Sequence, residues 1–198
     1  MSQAAVIPNV TTPEWELPSR GVVGMVCLIV AEAAIFTIFV VAYLYYVGKD
    51  RSGPTPREVL DLPIFTSICL LSSSLTVHFA VAALHQARRG LCSLWLAATV
   101  LLGGIFLGGT AHEWYTLIYH DGLTIQTNLF GTTFYSLVGL HAFHVTVGLI
   151  GLTIILLLTL FGAVKQEHSA RISVFAMYWH FVDAIWIVVL SVVYFIAR

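Results

Sequence analysis

Five stretches of this chain, at about 21–46, 63–86, 91–118, 131–162 and 172–197, are apolar almost without interruption, and each is at least twenty residues long. A hydrocarbon core of roughly 30 Å is crossed by about 20 helical residues, so each stretch is long enough to span a bilayer. Inside lipid every backbone N–H and C=O must be satisfied within its own segment or a closed barrel. Runs of this length therefore have to be helices. The chain of 198 residues is 59% hydrophobic and 10% charged, against roughly 25% charged for a soluble domain. The expected class is an all-α integral membrane protein, a bundle of five transmembrane helices behind a polar tail, 1–20.

The breaks between the runs are polar or carry turn residues: 49–61 with Gly53, Pro54 and Pro56, the Arg88-Arg89-Gly90 turn, 119–127 with Gly122, and 165–171. The fourth apolar run extends over 129–164, longer than the core requires, so its helix must tilt or begin outside the hydrocarbon. In the tail, Pro8, Pro13 and Pro18 favour an extended path, and Trp15 suits the interface. No basic segment precedes the first run, which is also too long for a secretory h-region, so no cleaved signal is expected. A net charge of −1 argues against nucleic acid as a partner. Cys27, Cys69 and Cys92 lie in or at the edge of apolar runs with no close pair, as packing residues rather than a disulfide or zinc framework. An odd number of spans puts the termini on opposite sides. The positive charges lean towards an inner N-terminus through Arg20, Arg88, Arg89, Lys165 and Arg171, against Lys49, Arg51, Arg57 and Arg198 outside.

Few residues inside the spans can carry chemistry. Glu32 is the sole charge-capable residue of the first run and lies near its middle, where an ionised carboxylate is costly. It is either a proton-handling or lipid-contacting group, or a neutral acid bonded to a neighbouring helix, such as a serine of the second span. His141 and His144 share a helix face that continues through Gly148 and Gly151. A metal or haem there needs further ligands from another helix, for which His78, His112 and His180 are available. The alternative is a pair of neutral imidazoles bonding across a close helix contact. His180 and Asp183 also share a face, as an orienting pair or as an interfacial ion pair. His112 and Glu113 close the third span with Trp114 and Tyr115, a pattern that fits an interfacial belt better than catalysis. Gly104 and Gly108, one turn apart, offer a face for close helix approach.

Taken together, four motifs in order resemble one family. Gly24-Met25, Ala31-Glu32-Ala33 and the run to Tyr46 are similar to a Glu-bearing helix of subunit III of the haem-copper respiratory oxidases, the cytochrome c oxidase subunit III family. Leu62-Pro63, Leu70-Leu71-Ser72-Ser73 and Thr76-Val77 resemble its next helix. Glu113-Trp114, Gly131-Thr132-Thr133-Phe134-Tyr135 and Gly139-Leu140-His141-Ala142-Phe143-His144-Val145 resemble its Gly-(Ser/Thr)-Thr-Phe and Gly-Phe-His-Gly-Leu-His-Val elements. Tyr178-Trp179-His180-Phe181-Val182-Asp183 with Trp186 resembles its C-terminal signature. The chain looks like the short, five-helix form, lacking the first two of seven helices. It departs from the family pattern at Val81 and Ala82, where histidines are usual, and at Thr110, where a glutamine is usual.

The resemblance implies a non-catalytic subunit of a proton-pumping, aerobic cytochrome c oxidase, an oxidoreductase that translocates protons as it reduces oxygen to water. It implies no catalytic residue and no bound metal in this chain, with haem and copper held by subunits I and II, and structural phospholipid in a cleft. Implied partners are a subunit I that can carry extra C-terminal helices, subunit II, a small subunit IV, and cytochrome c as electron donor to the complex. The implied location is a bacterial plasma membrane with the N-terminus cytoplasmic. Glu32 matches the family's buried glutamate and is the candidate for proton or lipid contact. His141, His144, His180, Asp183 and Glu113 are then candidates for polar helix contacts. Within the class, the rivals are subunit III of a quinol oxidase and the accessory subunit of a nitric oxide reductase. Outside it stand a di-histidine haem cytochrome and a small transporter, although no internal repeat or broken helix supports a transporter.

Overall fold

A computed structural model describes residues 19–49 and 53–196. Trp15 and the prolines of the tail, Arg51 in the first loop, and Arg198 lie outside the described residues. Five helices are long and apolar enough to cross a membrane. In order they are α1 (Arg20–Tyr46), a single turn α2 (Pro56–Val59), α3 (Ile64–His85), α4 (Arg89–Tyr119), α5 (Leu129–Leu160) and α6 (Ser169–Leu190). A 3₁₀ turn, Gln166–His168, leads into α6, and a π-helical segment, Ser191–Ile196, extends it. No strand occurs among the described residues.

The helix ends follow local chemistry. Asn128 caps α5, its Oδ1 accepting from the Gly131 N–H at 2.8 Å. A Cβ at Gly131 would run into the Thr124 carbonyl, so this cap needs glycine. At the other end of α5, Gly162 is left-handed (φ 74°), and the N–H groups of Gly162 and Ala163 close on the carbonyls of Thr159 and Leu158. The α3–α4 connection repeats that motif with alanine in the left-handed position: Ala87 (φ 58°) and Arg88 donate to Leu84 and Ala83. The reversal therefore sits at Ala87, not at Arg88-Arg89-Gly90, and Arg89 and Gly90 open α4. The polar loop after α1 contains the single turn α2. There Pro56 supplies the first turn, and the Thr55 N–H donates to Glu58 Oε2 at 2.9 Å. That bond holds the exposed Glu58 carboxyl below the usual carboxylate range. Ser169, Ala170 and Arg171, expected in a loop, are helical.

Two indoles of α6 organise the packing. Trp179 is fully buried, donates from Nε1 to Ser73 of α3 at 2.9 Å, and lies against Gly103 of α4 and Gly148 of α5. A Cβ at Gly148 would stand 2.7 Å from the Trp179 ring, and one at Gly103 would stand 3.1 Å from it. Trp186 donates to Ser67 of α3 at 3.0 Å. The α3–α4 hairpin is tied by Thr76 and Thr99, hydroxyl to hydroxyl at 2.7 Å. Gly104 and Gly108 face open space. The close approaches on α4 are made by their neighbours Gly103, and Gly109 against Thr66. One residue turns the helix by about 100°, so the packing face misses the expected pair. Gly151 packs on Phe175. Helix α1 is the most peripheral span: only Phe36 and Tyr43 are buried, while Val30, Ile38 and Val41 are exposed. Cys69 and Cys92 are buried and Cys27 is exposed, all as free thiols.

Candidate functional site

Mid-way along α1, the Glu32 carboxylate meets His144 of α5, Oε2 to Nε2 at 3.0 Å. The other imidazole nitrogen, Nδ1, lies 2.7 Å from the Leu140 carbonyl oxygen one turn back. A carbonyl cannot donate, so Nδ1 carries a proton and gives it to Leu140. Two lone pairs at 3.0 Å would repel, so a second proton must lie between Nε2 and Oε2. It belongs either to a carboxylic acid donating to a neutral imidazole or to an imidazolium donating to a carboxylate. In both cases the pair is neutral overall and can pass one proton across a single hydrogen bond. The side chains are 23% (Glu32) and 7% (His144) exposed, so the glutamate is the member nearer the outside of the bundle. Tyr178 of α6 donates its hydroxyl to the His144 carbonyl at 3.1 Å, and the Phe36 ring lies tilted against the imidazole at 5.1 Å. Of the serines of α3, Ser73, Ser67 and Ser74 bond instead to Trp179, Trp186 and His180.

His141, on the same face of α5, makes no hydrogen bond from either nitrogen among the described residues. It is fully buried and enclosed by Trp186, stacked at 5.0 Å, and by Phe106 and Phe36 edge-on at 5.8 and 6.5 Å. The di-histidine stripe thus divides: His144 bonds across a helix contact and His141 fills an aromatic box. Both His144 nitrogens are committed and those of His141 are walled by rings, and no group of three or more His, Cys, Asp or Glu among the described residues could hold a metal.

His180 and Asp183 do not bond to each other. His180 Nδ1 pairs with the Ser74 hydroxyl of α3 at 2.7 Å, while the Asp183 oxygens are buried without a hydrogen bond. The Ser74 hydroxyl also lies beside the Asp183 carboxyl, but the contact with hydrogen-bond geometry is the one to His180. A step of three residues turns the helix by about 300°, which sets the two side chains about 60° apart at the edge of the packed face. That step points the imidazole outward and leaves the carboxyl, 3% exposed, inside.

Towards the far end of α4, Glu113 accepts from the Tyr194 hydroxyl at 2.8 Å, tying α4 to the π-helical end of the chain. Glu113 and His112 also line a cavity of about 470 Å³ with Asp61, Thr66, Thr116 and Phe65. Tyr194 and Phe106 carry no sequence signal, while Tyr178 and Trp186 stand in the sequence only as letters of the C-terminal signature, without a partner. Tyr194 lies 81 residues from Glu113, so no spacing rule could join them.

Against known proteins, residues 19–198 match a family described as cytochrome c oxidase subunit III. A cytochrome c oxidase subunit 3 from Synechocystis is 38% identical over 185 residues, covering 89% of this chain and 76% of the relative. One from Bacillus sp. PS3 is 31% identical over 165 residues, covering 82% and 79%. A cytochrome bo(3) ubiquinol oxidase subunit 3 from Pseudomonas aeruginosa is 29% identical over 175 residues, covering 87% and 83%.

Proposed function

The chain belongs to the cytochrome c oxidase subunit III family, and we propose that it acts there without a catalytic centre of its own, sustaining proton delivery to the subunit that reduces oxygen. Membership makes it a multi-pass membrane subunit of an oxidoreductase complex. The observation that carries the functional reading is the Glu32–His144 contact at 3.0 Å near the middle of α1, with the glutamate partly exposed at the bundle surface. Shifting the proton between Glu32 and His144 leaves no bare charge in lipid, whereas handing it on leaves one negative charge on the pair, which the next proton taken up neutralises.

Haem and copper are assigned to partner subunits, I and II. This is supported by the commitment of both His144 nitrogens and the enclosure of His141, which also remove the donors that a di-histidine haem cytochrome would need. The apolar, exposed side of α1 is where structural phospholipid would lie. Cytochrome c is assigned as electron donor to the complex. The 38% identical relative carries that name, and the ubiquinol oxidase subunit is 29% identical. The orientation proposed is N-terminus inside, supported by Arg88 and Arg89, whose turn lies at the same end of the bundle as Arg20.

Glu32→Gln tests the role. The amide N–H can still donate to His144 Nε2, so the complex should assemble with normal haem content while losing the shared proton. Turnover in the first seconds should be near normal, and either its persistence or the rate of proton uptake should fall several-fold, read by stopped-flow in vesicles. Loss of assembly would make Glu32 structural. Unchanged uptake and persistence would remove the proton role.

A further inference from the structure

The α3–α6 seam carries a polar feature that the proton pair does not use. His180 is close to the midpoint of the Gln166–Ile196 span, and Ser74, its partner at 2.7 Å, is close to the midpoint of Ile64–His85. His78 stands one turn beyond Ser74 on α3 and within electrostatic reach of His180. Both imidazoles are exposed on the outer surface of the bundle. His180 Nε2 and both nitrogens of His78 make no hydrogen bond among the described residues, where the one ring contact of His78 is to the neighbouring Phe79. Leu75 and Phe79 flank them, 63% and 46% exposed.

Lipid tails cannot satisfy these nitrogens, and at mid-span the headgroups are about 15 Å away, half the hydrocarbon thickness. Hydroxyls elsewhere on the surface, such as Thr37 and Thr146, bond back to carbonyls of their own helices and need nothing from outside. An imidazole ring cannot fold back that way, so it needs a partner or a water-filled cleft. We infer that the α3–α6 face is an intersubunit surface, covered by a membrane-spanning helix of a different subunit. That helix carries, at mid-bilayer depth, an acid or hydroxyl side chain that accepts from the imidazoles. The choice of an acceptor follows from charge complementarity with two basic groups and from the tautomer in which the Ser74 hydroxyl donates to His180 Nδ1, which leaves Nε2–H as the outward donor. The inference rests on the chain being one subunit of an oxidase assembly.

The test exploits opposite expectations for apolar replacement. On a lipid-facing surface, His78→Leu/His180→Leu is neutral or favourable, and the complex should stay intact. On an intersubunit surface it removes the polar contacts, and about tenfold less haem-containing partner should co-purify with the tagged chain. Ser74→Ala, which breaks the same intramolecular bond and keeps both imidazoles, should leave most of the partner yield in place. His78→Asn/His180→Gln, which keeps hydrogen-bonding capacity, should restore most of the yield. In parallel, Leu75→Cys in the intact complex should form a photo-cross-link to another oxidase subunit through a short thiol-reactive probe. Undiminished co-purification of the leucine variant overturns the inference, as does a cross-link to a second copy of this chain or to lipid alone. If the unmodified chain brings down no haem-containing subunit, the proposed function fails as well.

Discussion

Trp179→Ala should destabilise the bundle by about 3 kcal/mol, measured by reversible denaturation in bicelles. Burying an indole away from lipid gains little, because lipid is as apolar as the protein interior, so the loss is mainly packing. A void of ~100 Å³ at about 24 cal/mol per Å³ gives ~2.4 kcal/mol, and a helix–helix hydrogen bond in a membrane adds about 0.6 kcal/mol. The ring cannot be replaced by relaxation of its neighbours, because Gly103 and Gly148 have no side chains to move into the gap. Trp179→Phe should recover most of the loss. It keeps a ring in the notch and gives up only the bond to Ser73, whose own hydroxyl still donates to the Leu70 carbonyl at 2.6 Å. A loss under 1 kcal/mol for the alanine variant would show that Trp179 is not the packing centre of the bundle.

His144→Leu should cost about 3 kcal/mol, since it leaves an acid near mid-span with no partner. The 23% exposure of the Glu32 side chain keeps the figure at the lower end of the range for broken buried pairs. Adding Glu32→Leu should restore most of that stability, because removing both members leaves no unsatisfied group. Proton uptake should stay impaired in the double variant. This separation distinguishes a pair kept for proton handling from one kept for folding: a double variant with full stability and full, lasting turnover would eliminate the first role. If His144→Leu alone is neutral, the 3.0 Å contact contributes nothing to the fold.

How far these features could be read in advance depends on how each is encoded. The five spans are legible because lipid forces every apolar run of sufficient length into a helix, so length and composition suffice. Glu32 is legible for the same reason, as an acid where none should be. Its partner is not, since His144 is 112 residues away and only the packing of α1 on α5 brings them together. Facing is the least legible property. Helices that are apolar all round give no stripe to mark the packed side, so the glycines at 104 and 108 looked as suitable as 103 and 109. The i, i+3 spacing of His180 and Asp183 suggested a pair for the same reason. Their true environments, Ser74 for one and an enclosed, unbonded pocket for the other, are set by α3 rather than by α6. The split between His141 and His144 likewise depends on Phe36, Phe106 and Trp186, which come from three different helices.

The most direct test is isolation of the full-length chain by an affinity tag from the membranes of its own organism, under mild detergent. A haem- and copper-containing catalytic subunit should come down with it, and the preparation should oxidise reduced cytochrome c while consuming oxygen. Recovery of the chain alone with no haem in the preparation would contradict the assignment, and a preparation that oxidises quinol but not cytochrome c would contradict the proposed electron donor.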